Sequence, residues 1–95
     1  MMEIATGILR NIEKSDIKDG TLEIPRNVVI IGKGAFSNQQ KLTHIIIPEG
    51  VTQINVAAFA NCRCLKTVVM PESLLGIGYE AFDMCHNLET AIIPD

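Results

Sequence analysis

The sequence predicts a β-rich solenoid, in which short coils of chain stack along one axis. Three observations carry this prediction: a repeat of constant length, a β-branched segment in each repeat, and a Pro at the end of each segment. The repeat length is 23 residues, the step that separates Pro25, Pro48, Pro71 and Pro94. The same step links columns of Leu, Ile and Ala-Phe, at Leu42, Leu65 and Leu88, at Ile31, Ile54 and Ile77, and at Ala35-Phe36, Ala58-Phe59 and Ala81-Phe82.

A constant period of roughly 20–29 residues with leucine-type positions in each unit is typical of a leucine-rich solenoid. One coil of this length cannot bury its own apolar side chains, so its stability has to come from the neighbouring coils. We therefore expect about three coils and a final strand over residues 20–95. Phe36, Phe59 and Phe82 should stack as a spine, with a small Ala beside each ring.

Each repeat begins with an extended segment in which β-branched residues are frequent. The closing Pro lacks a backbone donor, which suits a strand end. Alternation along the strand assigns two inward columns and places other residues outward. The segments are TLEIP (21–25), LTHIIIP (42–48), LKTVVMP (65–71) and LETAIIP (88–94), and the inward columns are Leu22, Ile45, Val68 and Ala91, and Ile24, Ile47, Met70 and Ile93.

The rest of each repeat reads as a turn, a second short strand and a return segment. Gly32, Asn55 and Gly78 share easy access to positive φ, so we expect the chain to turn there. The return segments, GAFSNQQK (34–41), AAFANCRC (57–64) and EAFDMCHN (80–87), are predicted to form short helical or 3-10 turns.

Residues 1–19 do not follow the repeat, and we expect them to cap the first coil. Ile4, Ile8 and Ile12 recur every four residues, which favours an amphipathic helix, although Gly7 weakens it. A degenerate repeat and a disordered leader are the alternatives. The sequence Lys18-Asp19-Gly20 predicts a turn before the first repeat strand.

Composition excludes some classes of function. The net charge is −3, and the chain has one Tyr, three Phe and no Trp, which argues against nucleic-acid binding. No apolar run approaches the roughly 20 residues of a membrane span, and the N-terminus lacks a secretion signal. The chain is then cytoplasmic if complete. The doubled Met1-Met2 and the ending at Asp95 favour instead a fragment whose leader lies outside it.

The residues that could carry chemistry do not form a site. Cys62, Cys64, Cys85 and His86 lack the paired spacing of a zinc site, so we expect free thiols and neither a metal nor a cofactor. A Cys62–Cys85 disulfide is the alternative, because stacked coils bring that column near bridging distance. His44 and His86 are isolated histidines without the arrangement of nucleophile, base and carboxylate that nucleophilic catalysis needs, so we expect no enzyme.

With these residues assigned, the chain resembles leucine-rich repeats of the Treponema pallidum type, also called BspA-like. The pattern LxxIxIPxxVxxIxxxAFxxCxxL appears as LTHIIIPEGVTQINVAAFANCRCL and LKTVVMPESLLGIGYEAFDMCHNL. The resemblance implies a right-handed solenoid with a parallel sheet on its concave side, and a role in adhesion and protein binding, mostly in bacteria or protists. For a fragment of a longer family member, it also implies a place at the cell surface or secretion. Two departures from the family pattern are the small number of repeats and Gln39 in place of a Cys.

The outward strand positions are the candidate binding surface. Ile46, Val69 and Ile92 would form an exposed apolar ladder where family members tend to carry a polar residue, and such ladders mark partner surfaces. Ordinary β propensity is the alternative explanation. We expect a protein or glycan partner, in a larger bacterial adhesin or effector; otherwise the chain is a spacer of a longer solenoid. The final strand has no following coil, so we also expect a homodimer through that edge. The predicted partner-binding residues are His44, Ile46, Thr67, Val69, Thr90 and Ile92.

Overall fold

The computed structural model describes residues 2–92, which form a β-solenoid of about four turns. Each coil contributes one strand to each of two sheets. The first sheet has the order β1 (Glu3–Ala5), β2 (Ile8–Asn11), β4 (Ile30–Ile31), β6 (Gln53–Ile54) and β8 (Gly76–Ile77). The second has the order β3 (Thr21–Glu23), β5 (His44–Ile46), β7 (Thr67–Val69) and β9 (Thr90–Ile92).

Neighbouring repeat strands pair in parallel with a constant shift of 23 residues, so equivalent side chains form columns. Leu22, Ile45, Val68 and Ala91 lie side by side in the second sheet. The first three are buried, as predicted, and so is the second inward column at Ile24, Ile47 and Met70. Ala91 continues this column beside Val68, as predicted, but it is exposed because no described coil covers it. Ile93 and Pro94 lie outside the described residues.

The three Phe rings form the predicted row. Phe36 and Phe59 stack with ring centroids 4.7 Å apart, and Phe59 and Phe82 with centroids 5.1 Å apart. The rings are nearly parallel, at 6° and 3°. Phe36 and Phe59 are fully buried, whereas Phe82 is only partly buried. The columns of the sequence therefore correspond to one continuous apolar interior.

The helix expected within residues 1–19 is wrong, because this segment contains an antiparallel hairpin of β1 and β2. Thr6 and Gly7 have φ values of 54° and 76° and link the two strands. Two successive positive φ values characterise the type I′ turn, which matches the twist of paired strands. A spacing of four residues would keep Ile4, Ile8 and Ile12 on one face of a helix, but the turn separates Ile4 from Ile8, and Ile4 instead pairs with Leu9 across the hairpin.

The N-terminal segment joins both sheets. Strand β2 pairs in parallel with β4, and Leu9 and Ile12 are buried. A 3-10 turn, Lys14–Asp16, follows. The predicted turn at Lys18-Asp19-Gly20 is present: the N–H of Lys18 donates to the carbonyl of Thr21 at 2.7 Å, and the N–H of Thr21 donates back at 2.9 Å. Among residues 2–92 no helix has the length and apolar character that crossing a membrane requires.

The left-handed positions of each coil lie two residues later than expected. Gly34, Ala57 and Glu80 have positive φ, whereas Gly32 and Gly78 do not. Those two glycines serve close packing instead, since a Cβ at Gly32 would lie 2.8 Å from the carbonyl oxygen of Leu9, and one at Gly78 2.6 Å from the nitrogen of Val56.

The return segments are successions of single turns and contain no continuous 3-10 helix. Within them an N–H donates to the carbonyl three residues earlier, as from Ala58 to Asn55 and from Ala60 to Ala57. A second left-handed column, at Asn38, Asn61 and Met84, interrupts each segment. Asn61 Nδ2 donates to Asn38 Oδ1 at 2.6 Å, which ties two coils together.

Candidate interaction surface

The outer face of the four-stranded sheet presents two columns of side chains. Strands β3, β5, β7 and β9 are each three residues long, and the middle residue points into the core, so the first and third point outward. The parallel register places equivalent residues directly beside one another. The outer columns are Thr21, His44, Thr67 and Thr90, and Glu23, Ile46 and Val69, and the backbone of Ile92 pairs beside Val69.

The predicted binding residues differ in exposure. Ile46 is 69% exposed, and His44 and Thr90 are also exposed. Thr67 and Val69, on the inner strand β7, are partly buried. The backbone of Ile92 continues the column, but its side chain lies outside what the structure describes. The described apolar ladder thus consists of Ile46 and Val69, and Glu23 ends it on the β3 side.

An open groove of about 770 Å³ lies beside this face at strands β3 and β5. His44 and Ile46 line it, so two of the predicted residues belong to one concave feature. Sequence reasoning missed the charged and Pro residues around it. The Pro at the end of each repeat strand was the available signal, because equivalent strand ends meet at one rim. The remaining lining residues are Thr21, Leu22, Glu23, Ile24, Pro25, Arg26 and Pro48.

The ends of these strands are joined by hydrogen bonds between coils. Glu49 Oε2 accepts from the N–H of Glu72 at 2.9 Å, and Oε1 accepts from the N–H of Ser73 at 3.3 Å. Ser73 Oγ in turn donates to the carbonyl of Val51 at 2.8 Å. The carboxylate of Glu49 therefore links its own coil to the next one by hydrogen bonds at the ends of strands β5 and β7.

Two of the three cysteines bond the backbone of the preceding coil. Cys62 Sγ donates to the carbonyl of Phe36 at 3.0 Å, and Cys85 Sγ donates to the carbonyl of Phe59 at 3.1 Å. Burial raises the pKa of Cys62 to about 11 and also raises the pKa of Cys85, which favours the neutral thiol in both cases. Cys62, Cys64 and Cys85 are free thiols, and no group of three metal-ligating side chains occurs within residues 2–92.

Comparison with known proteins gives one match. A family profile described as "BspA type Leucine rich repeat region (6 copies)" matches residues 12–95, which is most of the chain. Neither a curated protein nor a solved structure matches.

Proposed function

Because this chain belongs to the BspA-type leucine-rich repeat family, we propose that it is an interaction module that binds a protein through the outer face of its four-stranded sheet. Repeats of this kind are often used for protein interaction, since stacked coils create an extended surface. The solenoids are typically non-enzymatic, and we expect no catalytic activity here.

The exposure of Ile46 is the observation that carries the proposal. An Ile that is 69% exposed stands beside the partly buried Val69 and at the wall of an open groove. Fully covering one such side chain contributes about 1.5–3 kcal/mol. A partner that covers both residues would therefore gain a substantial part of an ordinary binding energy from two contacts.

The polar column beside this ladder would fix the orientation of the bound partner. His44, Thr67 and Thr90 carry donors and acceptors at the spacing of neighbouring strands. Binding sites commonly combine an apolar surface with a few polar groups that fix the partner's direction. We assign Ile46, Val69 and Ile92 to burial, and His44, Thr67 and Thr90 to hydrogen bonding.

A protein fits this surface better than a glycan does. Sugar hydroxyls need hydrogen-bonding partners, and burying them against Ile46 and Val69 would leave them unsatisfied. An extended peptide or a sheet face offers apolar side chains to the ladder and polar groups to the neighbouring column. A place within a larger bacterial adhesin or effector is part of this proposal.

The test compares two sets of Thr substitutions by pull-down. In one variant Ile46→Thr, Val69→Thr and Ile92→Thr remove the ladder; in the control Val29→Thr and Val56→Thr remove two exposed apolar side chains, 44% and 41% exposed, outside that sheet. We expect both variants to fold, as measured by circular dichroism. Proteins captured by the natural chain should be lost with the first variant and kept with the control.

Retention of the same proteins by both variants would contradict the proposal. The chain would then be better described as a structural spacer within a longer solenoid, which is the alternative raised by the repeat itself. Equal loss in both variants would also contradict it, because binding would then not depend on this face.

A further inference from the structure

The turns that lead into the four-stranded sheet form a corner of positive charge. In each turn the N–H of a Leu donates to the carbonyl three residues earlier, as from Leu65 to Cys62 at 3.2 Å. The turns at the other end of the same strands carry Glu49 and Glu72. Here, by contrast, both tip residues of every turn are exposed and none is acidic: Gln40-Lys41, Arg63-Cys64 and His86-Asn87.

We call Lys41, Arg63 and Lys66 the basic corner. All three are exposed. The backbone of Lys66 lies between two other coils, because its N–H donates to the carbonyl of Thr43 at 2.7 Å and its carbonyl accepts from the N–H of Glu89 at 2.9 Å. The exposure of this corner therefore persists where coils are stacked on both sides.

Amide side chains of the neighbouring coils hold Arg63 in place. Asn87 Nδ2 donates to its carbonyl at 2.6 Å, and Gln40 Nε2 donates to the carbonyl of Asn61 at 2.9 Å. Arg63 Nε donates to Asn61 Oδ1 at 2.8 Å, and Asn61 Nδ2 donates to Asn38 Oδ1 at 2.6 Å. Within residues 2–92 the guanidinium has no other partner, so both Nη groups keep their donors for a ligand.

Three exposed carboxylates border the basic corner and limit its extent. Asp19 follows Lys18 at the start of strand β3, so these two charges offset each other. Asp83 and Glu89 lie in the coil that follows, and Glu89 stands directly beside Lys66. The positive charge is therefore confined to a small area, and Glu89 competes with any ligand for Lys66.

An acidic segment of a polypeptide fits this pattern of charge. The two Nη groups of Arg63 can hold one carboxylate by two parallel hydrogen bonds, which are strong because both partners are charged. The surrounding amide side chains offer donors and acceptors that match a peptide backbone. A sulfated glycan or a nucleic acid carries unbroken negative charge, which would also meet the three bordering carboxylates. No aromatic residue at the turn tips is present for a base to stack on.

We propose that the basic corner is a binding site for an acidic segment of a polypeptide. One carboxylate binds the Nη groups of Arg63, and a second binds Lys41 or Lys66. Carboxylates on alternate residues of an extended segment are roughly 7 Å apart, which the long Lys side chains can span. The site lies outside the apolar ladder of Ile46 and Val69, so it goes beyond the function proposed for that face and does not depend on it.

The test is a titration with a synthetic peptide in which Glu alternates with Thr, followed by amide NMR spectra of the chain at low salt. The control peptide carries Gln in place of every Glu. We expect the Glu peptide alone to bind and to shift the amide signals of Lys41, Arg63 and Lys66. Salt of about 1 M should abolish these shifts, because the Debye length is then about 3 Å.

Variants of the chain locate the charges that bind. Lys41→Gln with Arg63→Gln should weaken binding at least roughly tenfold, whereas the matched pair Arg10→Gln with Lys33→Gln removes two exposed cations elsewhere and should change it less than about twofold. Amide spectra of the free variants report whether each is folded.

Two single substitutions distinguish a built site from a general effect of charge. Arg63→Lys keeps the charge but loses the bond to Asn61 and the paired contact, so it should weaken binding roughly threefold or more. Glu89→Gln removes the competitor beside Lys66 and should strengthen binding. Ile46→Thr with Val69→Thr should bind the peptide as the natural chain does, which separates this result from the pull-down test of the sheet face.

Four results would overturn the proposal. They are equal binding of the Gln peptide, amide shifts confined to other parts of the chain, unchanged affinity in both Arg63→Lys and Glu89→Gln, and binding of a sulfated glycan such as heparin where the Glu peptide does not bind.

Discussion

The two ends of this solenoid differ although the coils between them are nearly identical. At the N-terminal end, the β1–β2 hairpin extends one sheet, the Lys18–Thr21 pair closes the other, and Leu9 and Ile12 complete the interior. At the C-terminal end, the corresponding interior residues are partly exposed. The comparison indicates that the repeat specifies stacking, whereas residues outside the repeat cover the first coil.

The hairpin covers the first coil with few residues. A segment of nine residues, 3–11, places one strand against β4 and buries Leu9 completely. Solenoid ends generally need such a cap, because the terminal coil otherwise exposes its core. We propose that residues 1–19 act as this cap, in the form of a hairpin and a turn instead of the expected helix.

The largest predicted difference between the ends concerns the Phe spine. Phe36→Ala, beneath the closed end, should lower the free energy of unfolding by about 3–5 kcal/mol, the usual cost of deleting a fully buried ring. Phe82→Ala should cost clearly less, because its ring is already partly in water. Urea denaturation of both variants measures the difference; equal losses would contradict the open description of the C-terminal end.

A pair of glycines gives a second, smaller contrast. Gly32→Ala should destabilise the protein by about 1–3 kcal/mol, since its Cβ would press on the carbonyl of Leu9 in the cap. Gly76→Ala is the matched control, because no atom lies within 4 Å of its added Cβ. That variant should be neutral or gain about 0.5 kcal/mol by restricting the unfolded chain. Thermal unfolding of the two variants would refute the cap contact if Gly32→Ala behaved like Gly76→Ala.

Met84 is the last described member of the left-handed column that begins with Asn38 and Asn61. Met84 has a φ of 62°, in a column whose earlier members are Asn38 and Asn61. Asn tolerates the left-handed region better than Met does, so Met84→Asn should raise the free energy of unfolding by about 1 kcal/mol. Met84→Leu is the control and should bring no gain. A stabilising effect of both variants would mean that side-chain size, and not backbone conformation, governs this position.

The buried thiol should produce an effect that is confined to alkaline pH. Burial raises the pKa of Cys62 to about 11 from an ordinary value of 9.0, so the folded state keeps its proton where the unfolded state loses one. The contribution of this thiol to the free energy of unfolding is fully present below pH 9 and should be lost as the pH rises from 9 to 11. The decline should be smaller in Cys62→Ala, and an identical decline in both proteins would exclude this thiol as the cause.

Much of the fold was predictable because the repeats within this one sequence can be aligned with one another. Four Pro residues in step and three Ala-Phe pairs fixed the columns, and the parallel register and the ring stack follow from them. The predicted solenoid, the family and the buried columns through Met70 are confirmed.

The unpredicted parts lie where a residue can serve two purposes. The spacing of Ile4, Ile8 and Ile12 fits a helix, but the Thr6-Gly7 turn separates the first from the other two and pairs Ile4 with Leu9. Gly32 and Gly78 were expected to provide a left-handed turn, but the structure uses their missing Cβ for close packing. The left-handed Ala57 and Glu80 carry no sequence signal, since neither residue favours that conformation.

The candidate site was predicted only as a row of outward positions. Register alone placed His44 beside Thr67 and Ile46 beside Val69. The groove beside them depends on how Arg26 and the two strand-end residues Pro25 and Pro48 meet in space, which a linear pattern does not specify. The binding role of the six outward residues stays a prediction.

Amide hydrogen exchange along the Phe column tests the contrast between the ends most directly. The N–H groups of Phe36 and Phe59 donate to the following coil, and within residues 2–92 the N–H of Phe82 has no such acceptor. For the isolated chain we predict strong protection at Phe36 and Phe59 and exchange at Phe82 that is faster by orders of magnitude. Equal protection at all three amides would contradict an open C-terminal end.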